Sequence, residues 1–411
     1  MKVLIIGSGG REHAICWALS KSPKLTKLYC APGNAGTAQV AQNVDIAAKD
    51  FDALINFAKS NAIDLAFCPM DEPLIMGIAD EFKDAGINFF GPSKLAAEIE
   101  GSKAYAKGFM AKYGIPTAAY ATFTDCHKAI DHARGAAYPL VVKASGNALG
   151  KGVIICENFE AARAAITDIL VEGRYGVQSS IVIEEFLQGD ECSMLAFCDG
   201  DKLAFWPSAK DYKRAHDGDK GPMTGGLGII SPMGKYTADM HKLCDERIYQ
   251  PTIKGLQKEG RPFVGVLYFG LILTASGPYV IEYNCRPGDP ETQALLPLLE
   301  TDLLSIICSC LDNLDKLQIK WKNNSTAAVV MASSGYPNEY STGHTISLPK
   351  PDVGIQLFHS GTKLEGEKLV TSGGRVLCVV AVDDDIGLAR KKAYQTAKSI
   401  DFNGAYYRND I

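Results

Sequence analysis

Glu282 and Asn284 stand two residues apart in Ile281-Glu282-Tyr283-Asn284-Cys285-Arg286-Pro287-Gly288-Asp289-Pro290-Glu291. On an extended segment that spacing puts both on one face, and a carboxylate with an amide oxygen suits Mg²⁺, which takes its remaining ligands from phosphates and water. Arg286 continues the face, and Pro287 and Pro290 bracket a turn at Gly288 that would hold Asp289 and Glu291 in a fixed loop. A hard metal beside such groups points to ATP chemistry. An edge strand running into a charged turn is the plainer alternative.

Other segments carry phosphate- or nucleotide-grade features. The first strand runs into Gly7-Ser8-Gly9-Gly10 and then Arg11-Glu12-His13, so backbone N–H groups and a helix N-terminus would face an anion. The dinucleotide fingerprint needs a third glycine where Glu12 stands, and Ala31-Pro32-Gly33-Asn34 ends the second strand without an acidic residue for a ribose. A nicotinamide enzyme is therefore disfavoured. Lys143-Ala144-Ser145-Gly146-Asn147-Ala148-Leu149-Gly150-Lys151-Gly152 lies between two strands and could close over phosphates; as a flexible surface hairpin it fits equally well. It is not a Walker loop, because Lys151 is followed by Gly152 and a strand.

Glu184-Glu185-Phe186-Leu187 ends an apolar strand and leads to Glu191, a hinge whose backbone could pair with an adenine edge or form a solvated turn. Lys210-Asp211-Tyr212-Lys213-Arg214 and Gly221-Pro222-Met223-Thr224-Gly225-Gly226 set cations beside exposed backbone, which suits phosphate or carboxylate recognition.

The elements that must position these groups follow from periodicity. Up to about residue 100, strands at "KVLIIG", "LTKLYCA", "DLAFCP" and "INFFGP" alternate with helical patterns near 11–21, 51–60 and 72–85, which predicts a parallel α/β layer. A helix over 101–117 stops at Gly114 and Pro116. Beyond it come a small α+β unit at about 118–190, a strand-rich block at 191–284, an apolar helix at 292–311 and a strand-rich segment at 326–411. The loop 207–234 is long, polar and glycine-rich, which marks it as functional. The expected division is an N-terminal α/β domain at 1–102, a nucleotide-binding domain at 103–325 with its lid at about 118–190, and a C-terminal domain at 326–411.

With 46% apolar and 22% charged residues and a net charge of −5, the chain is ordinary globular material with no basic field, so nucleic acid is an unsuitable partner. No segment approaches the ~20 apolar residues of a membrane span. The twelve cysteines form no C-x-x-C pair and read as reduced core residues. A cytoplasmic monomer or weak dimer acting on small molecules is expected.

The order of these elements resembles the ATP-grasp ligases. Within them "GSGGREHA", "APGNAGTA", "GPSKLAAEIEGSKAYAK", "VIEEFLQGDECS", "GDPETQ", "SSGYPNEYSTGHTI", "FHSGTK" and "TSGGRVLCV" are similar to the phosphoribosylamine–glycine ligase family over nearly the whole chain. The resemblance implies a multi-domain α/β and α+β ATP-grasp fold, with a Rossmann-like N-terminal domain and a strand-rich C-terminal one. It also implies ATP and Mg²⁺, with Mn²⁺ as a substitute, and an acyl-phosphate route from glycine and 5-phosphoribosylamine to glycinamide ribonucleotide.

By position it assigns Lys103 and Lys143 to ATP phosphates, Ser145, Gly146, Gly150, Lys151 and Gly152 to the covering loop, Glu184, Glu185, Phe186 and Leu187 to adenine, and Glu191 to ribose. Glu282 and Asn284 would hold the metal. Arg286, Gly288 and Asp289 would face the reacting carboxylate; Gly9, Gly10, Arg11 and Glu12 would belong to the amine side, and Asp211, Lys213, Arg214, Thr224, Gly225 and Gly226 to the substrates. Departures from the family pattern fall at Ser145, Lys210, Tyr212, Met223, Pro287 and the segment 69–74. They leave open a paralogue with another carboxylate or amine, and, from another class, a catalytically silent nucleotide-binding regulatory protein.

Overall fold

The computed structural model describes residues 1–146, 152–174, 176, 180–350 and 352–411. Five parallel strands open the chain in the spatial order Gln42–Asn43, Lys27–Pro32, Lys2–Gly7, Leu65–Phe67, Asn88–Phe90. Alternating apolar runs and helices produce this layer, because strands buried on both faces must be apolar throughout, as Val3 to Ile6 are. The strand order reverses beside Lys2–Gly7, so the turn after it opens at a crevice where such sheets bind ligands.

The unit at 118–190 is a four-stranded antiparallel sheet, Tyr120–Phe123, Ile181–Glu185, Leu140–Ala144, Val153–Cys156. Helices Cys126–Arg134 and Phe159–Leu170 cover it with their own apolar core of Ala129, Ala133, Ile166 and Ile169. The strand Val264–Thr274 pairs antiparallel with Asp190–Asp199 on one side and with Gly277–Asn284 on the other. Its core is continuous with the N-terminal layer, joining Leu4, Ile6, Phe82 and Phe109 to Tyr249, Phe269 and Tyr283. One shared core therefore fixes where the Gly7–Gly10 turn stands relative to Glu282.

Several elements differ from the expectation, among them the pattern at 72–85, which is two helices meeting at Gly77, and the strand-rich segment 326–411, which contains the helix Ile386–Lys398. The segment 207–234 is not a free loop: Lys210–Asp211 and Gly228–Ser231 join the C-terminal sheet, the latter against Ser325–Ser333, and Arg214–His216 and Lys220–Met223 form a hairpin. Its polar sequence hides strands that need partners about 100 residues further on. The apolar run 292–311 is two helices, Glu291–Leu295 and Leu303–Asp312, separated by a tight turn containing Pro297; the Asp302 side chain accepts from the Ser305 N–H and starts the second. The block 191–284 also contains a helical stretch, Ala238–Cys244 to Gln250–Lys258. Among the described residues no helix is long and apolar enough to cross a membrane.

The C-terminal sheet meets the first helix, Gly10–Leu19, through two buried histidines. The His359 backbone N–H donates to His13 Nδ1 at 2.9 Å, so that nitrogen must be unprotonated. Burial, reinforced by His359, lowers His13 to about 3, and burial lowers His359 to about 4. Both lie below the unfolded value, so the unfolded chain binds more protons as pH falls through about 6.5, and stability is lost from there downward. A His13→Gln variant should show a shallower fall in urea midpoint between pH 7 and 5 than the parent; equal slopes would remove His13 from this account.

Candidate active site

The helix Lys103–Lys112 begins with a cation at its N-terminus, where the helix dipole disfavours one. Burial lowers the Lys103 pKa, and Glu282, Glu100 and Glu184 oppose that effect. Such a lysine is poised for an anion. One turn on, Lys107 Nζ lies 3.0 Å from Glu184 Oε2 and 2.6 Å from Thr117 Oγ1, and Lys143 Nζ lies 2.9 Å from the same Glu184 oxygen. Glu184 is thus a buried bracket for two lysines. Burial pulls Lys107 down to about 8 despite the pair.

These groups line one cleft with Gly146, Gly152, Glu185, Phe186, Leu187 and Glu191 on one side. Asp211, Lys213, Thr224, Gly225, Glu282, Asn284, Arg286, Gly288 and Asp289 line the other. A bulge at Ile281 sets Glu282 opposite Gly270 and Asn284 opposite Tyr268. Burial pushes the Glu282 carboxyl upward, but Lys213, Lys103, Lys143 and Arg286 outweigh it and hold the group below its ordinary value. Lys213 Nζ is 4.0 Å from Glu282 Oε1 and 3.4 Å from Glu191 Oε2. The Asn284 Oδ1 accepts from Arg286 Nη2 at 3.3 Å.

This donor set fits a hard cation. Glu282 is held ionised with the Lys213 ammonium 4.0 Å away, beyond hydrogen-bond distance, and no group of three or more His, Cys, Asp or Glu able to cage a metal occurs among the described residues. One carboxylate and one amide oxygen, completed by phosphates and water, is the Mg²⁺ pattern.

Arg286 Nη2 pairs with Glu100 Oε1 at 3.0 Å. Asp289 accepts from Gln293 Nε2 at 2.6 Å and pairs with Arg375 Nη2 at 3.0 Å. Arg375 Nη1 donates to the Gly225 carbonyl at 2.6 Å and to the Asp289 carbonyl at 2.8 Å, clamping the two walls together. Behind the clamp a second cavity opens between Gly9, Asn34, Asp289, Thr362 and Arg375.

Among the described residues, the remaining expected ones do not line the first cleft, although Gly9 lines the second cavity. Glu12 Oε2 takes the Gly9 N–H at 2.5 Å and Glu12 Oε1 takes Arg11 Nε at 2.9 Å, so the helix terminus expected to hold an external anion is capped by its own carboxylate. Arg11 donates onward to the Pro287 carbonyl at 3.0 Å. Gly10 is pressed against Ser360 and Gln293, where a Cβ would not fit. Gly226, at φ +103°, would carry a Cβ into Pro290 and Asp211.

Ser145 Oγ accepts from the Ala104 N–H at 2.9 Å, tying the loop to the start of the lysine-bearing helix. Arg214 donates to the Gly221 carbonyl within its hairpin. Gly150 and Lys151 lie outside the described residues.

Of the departures from the family pattern, Tyr212 stacks beneath Lys210 and Arg408, Pro287 contributes its carbonyl to Arg11, and Ser145 faces a helix. Met223 is the one of these four that lines the cleft.

Sequence reasoning missed Lys107, Glu100, Tyr268 and Arg375 as cleft or clamp residues, and it placed Glu291 in the loop beside Asp289 without giving it a role. Lys107 had a signal: it lies four residues after Lys103, on the same helix face, where two like charges repel unless something binds them.

The phosphoribosylglycinamide synthetase family matches the chain in three parts: its N domain over residues 1–100, its ATP-grasp (A) domain over 101–292 and its C domain over 326–411. The phosphoribosylamine–glycine ligase of Vibrio vulnificus (strain YJ016) is 44% identical over 418 residues, spanning 100% of this chain and 97% of its own. That of Halalkalibacterium halodurans is 45% identical over 413 residues, spanning 100% and 96%. The crystal structure of the Thermotoga maritima phosphoribosylamine–glycine ligase superposes with a TM-score of 0.88 at 35% identity over 100% of both chains. The biotin carboxylase domain of Hydrogenobacter thermophilus 2-oxoglutarate carboxylase shares the fold alone, with a TM-score of 0.74 at 16% identity over 99% of this chain and 91% of its own. With its lysine-lined cleft and matches along its whole length, the chain belongs to the phosphoribosylglycinamide synthetase family of ATP-grasp ligases.

Proposed function

We infer that the chain joins glycine to 5-phosphoribosylamine at the expense of ATP, giving glycinamide ribonucleotide, ADP and phosphate in purine biosynthesis. The observation that carries this reading is the cleft itself, in which Lys103, Lys143 and Lys213 surround Glu282 and Asn284 beside a second cavity under Asp289. A glycine carboxylate oxygen attacks the γ-phosphorus and expels ADP; the amine nitrogen then attacks the acyl carbon and expels phosphate. Both steps are mainly positioning and charge neutralisation.

In this reading the lysines hold the triphosphate, Glu184 keeps Lys107 and Lys143 aimed, and Phe186 and Leu187 border the base with Glu191 near the ribose. Glu282 and Asn284 would hold Mg²⁺, or Mn²⁺, which neutralises the transferring phosphoryl group when bound. Arg286 and Asp289 would orient the acyl group where the two cavities meet, and the phosphoribosyl amine would enter from the side of Gly9, Asn34 and Thr362. A cytoplasmic location goes with this chemistry.

The paralogue reading loses ground because the relatives matched along the whole chain are phosphoribosylamine–glycine ligases and because Ser145, Tyr212 and Pro287 are not among the residues that line the cleft; Met223 and Asp71 are the departures that do. A silent regulatory protein is disfavoured by the intact lysine and carboxylate set.

The test is ADP release by purified protein with ATP, Mg²⁺ and freshly generated phosphoribosylamine, across a panel of amino acids. Release that depends on both glycine and the amine is expected. Release only with a larger acid, or without the amine, would favour a paralogue; no release despite tight ATP binding would favour the regulatory reading.

A further inference from the structure

The hairpin made by Arg214–His216 and Lys220–Met223 is short, polar and exposed over much of its length, a poor candidate for a rigid wall. Yet Lys213 at its root, and Met223 and Thr224 at its end, line the nucleotide cleft. Its own interstrand pairing is irregular, with a register shift between Arg214 and His216. What steadies it lies nearly 200 residues further along the chain.

Arg408 is fully buried, among the largest side chains so enclosed. Its Nη1 donates to the Arg214 carbonyl at 3.0 Å and pairs with Asp219 Oδ1 at 2.9 Å; Nη2 pairs with Asp410 Oδ2 at 2.7 Å, and the guanidinium stacks 5.0 Å from the Tyr212 ring centroid. Around it, Tyr406 donates its hydroxyl to the Ala215 carbonyl, the Gly218 N–H donates to Asp410 Oδ2 at 2.7 Å, and the Asn409 N–H donates to Asp217 Oδ1 at 2.9 Å. Ile411, also fully buried, fills the space a side chain at Gly228 would need. With His216 Nδ1 3.3 Å from the Tyr406 hydroxyl, the contacts fall on every position from Arg214 to Asp219, so they hold that arm of the hairpin throughout.

We propose that residues 406–411, centred on Arg408, are a positioning strap for the nucleotide cleft: by gripping the 214–219 arm they hold Lys213 and Thr224 at the distance that ATP binding requires. An arginine is suited to the task, because its planar fork can bind a carbonyl and two carboxylates at once while its face lies on an aromatic ring. Lys213 stands between Glu191 and Glu282, so displacement of the hairpin should be felt first in nucleotide affinity.

The proposal rests on the ligase reading for the identity of the nucleotide, and binding of MgATP alone separates the two. Arg408→Lys keeps the charge and loses the fork; because its site is buried, the paired variant Asp217→Ala with Asn409→Ala removes an exposed pin of the same strap, taking away both acceptors of the Asn409 backbone and side-chain N–H groups and the side-chain amide itself. In both, the dissociation constant for MgATP by equilibrium dialysis and the KM for ATP should rise several-fold, towards the tenfold that about 1.4 kcal/mol represents. The KM should rise by more than kcat falls, with the thermal midpoint of the paired variant unchanged. Parent-like MgATP affinity in the folded paired variant would overturn the strap alone. So would losses that track the fraction of protein unfolded. A parent protein that binds no MgATP would overturn the nucleotide reading and the strap with it.

Discussion

Glu282→Gln should lower kcat/KM by on the order of 10³ while the protein stays folded, because in the proposed reaction several kcal/mol of transition-state charge stabilisation pass through the divalent cation that this carboxylate would hold. The substitution keeps the shape and removes one charge. That charge is maintained against burial by Lys213, Lys103, Lys143 and Arg286. Its loss would also leave three lysines facing one another with less to offset them, so ATP should still bind, drawn by the excess positive charge, while turnover collapses. Steady-state kinetics beside the far-ultraviolet circular dichroism of the variant checks both halves. Activity within a few-fold of the parent would remove Glu282 from the metal site.

The largest stability effect is expected at Glu184. One buried oxygen pairs with Lys107 and Lys143, and removing one partner of such an arrangement costs about 3–5 kcal/mol because uncompensated buried charge is left behind. For Glu184→Gln we expect a fall of that order in unfolding free energy from urea titration at pH 7. The pH dependence is a second signature. Lys107 already lies near 8 through burial, and without Glu184 it drops further below its unfolded value, so the unfolded variant binds more protons and its stability should climb as pH rises from about 8 towards 10. A loss below ~1 kcal/mol, the size of an ordinary substitution, would show that Glu184 is not the bracket.

The same residue shows how far a one-dimensional reading reaches. The run Glu184-Glu185-Phe186-Leu187 marks a hinge and suggests adenine contact. Phe186, about a third exposed, and Leu187 do border the cleft. The Glu184 side chain, however, points to lysines 77 and 41 positions back in the chain, which no local pattern could announce. Similarly, the glycines after the first strand read as an anion site, and the three-residue spacing of Gly9 and Glu12 lets the Glu12 carboxylate reach back to the Gly9 N–H at the helix terminus. The sequence shows both possibilities, and the geometry selects one.

Local periodicity was enough for the parallel N-terminal layer, for the lysine-bearing helix, and for the common face of Glu282 and Asn284, since each depends on neighbours within a few residues. What depended on the folded chain was every contact whose partners are far apart: Arg375 closing Asp289 onto Gly225, Arg11 reaching the Pro287 carbonyl, the 210–231 strands completing a sheet begun at Ser325, and Arg408 holding the hairpin beside Lys213. A side chain's type and spacing say what it can bind, but its partner is decided by packing, because a buried charge or donor must be satisfied by whatever group the converging elements bring within about 3 Å.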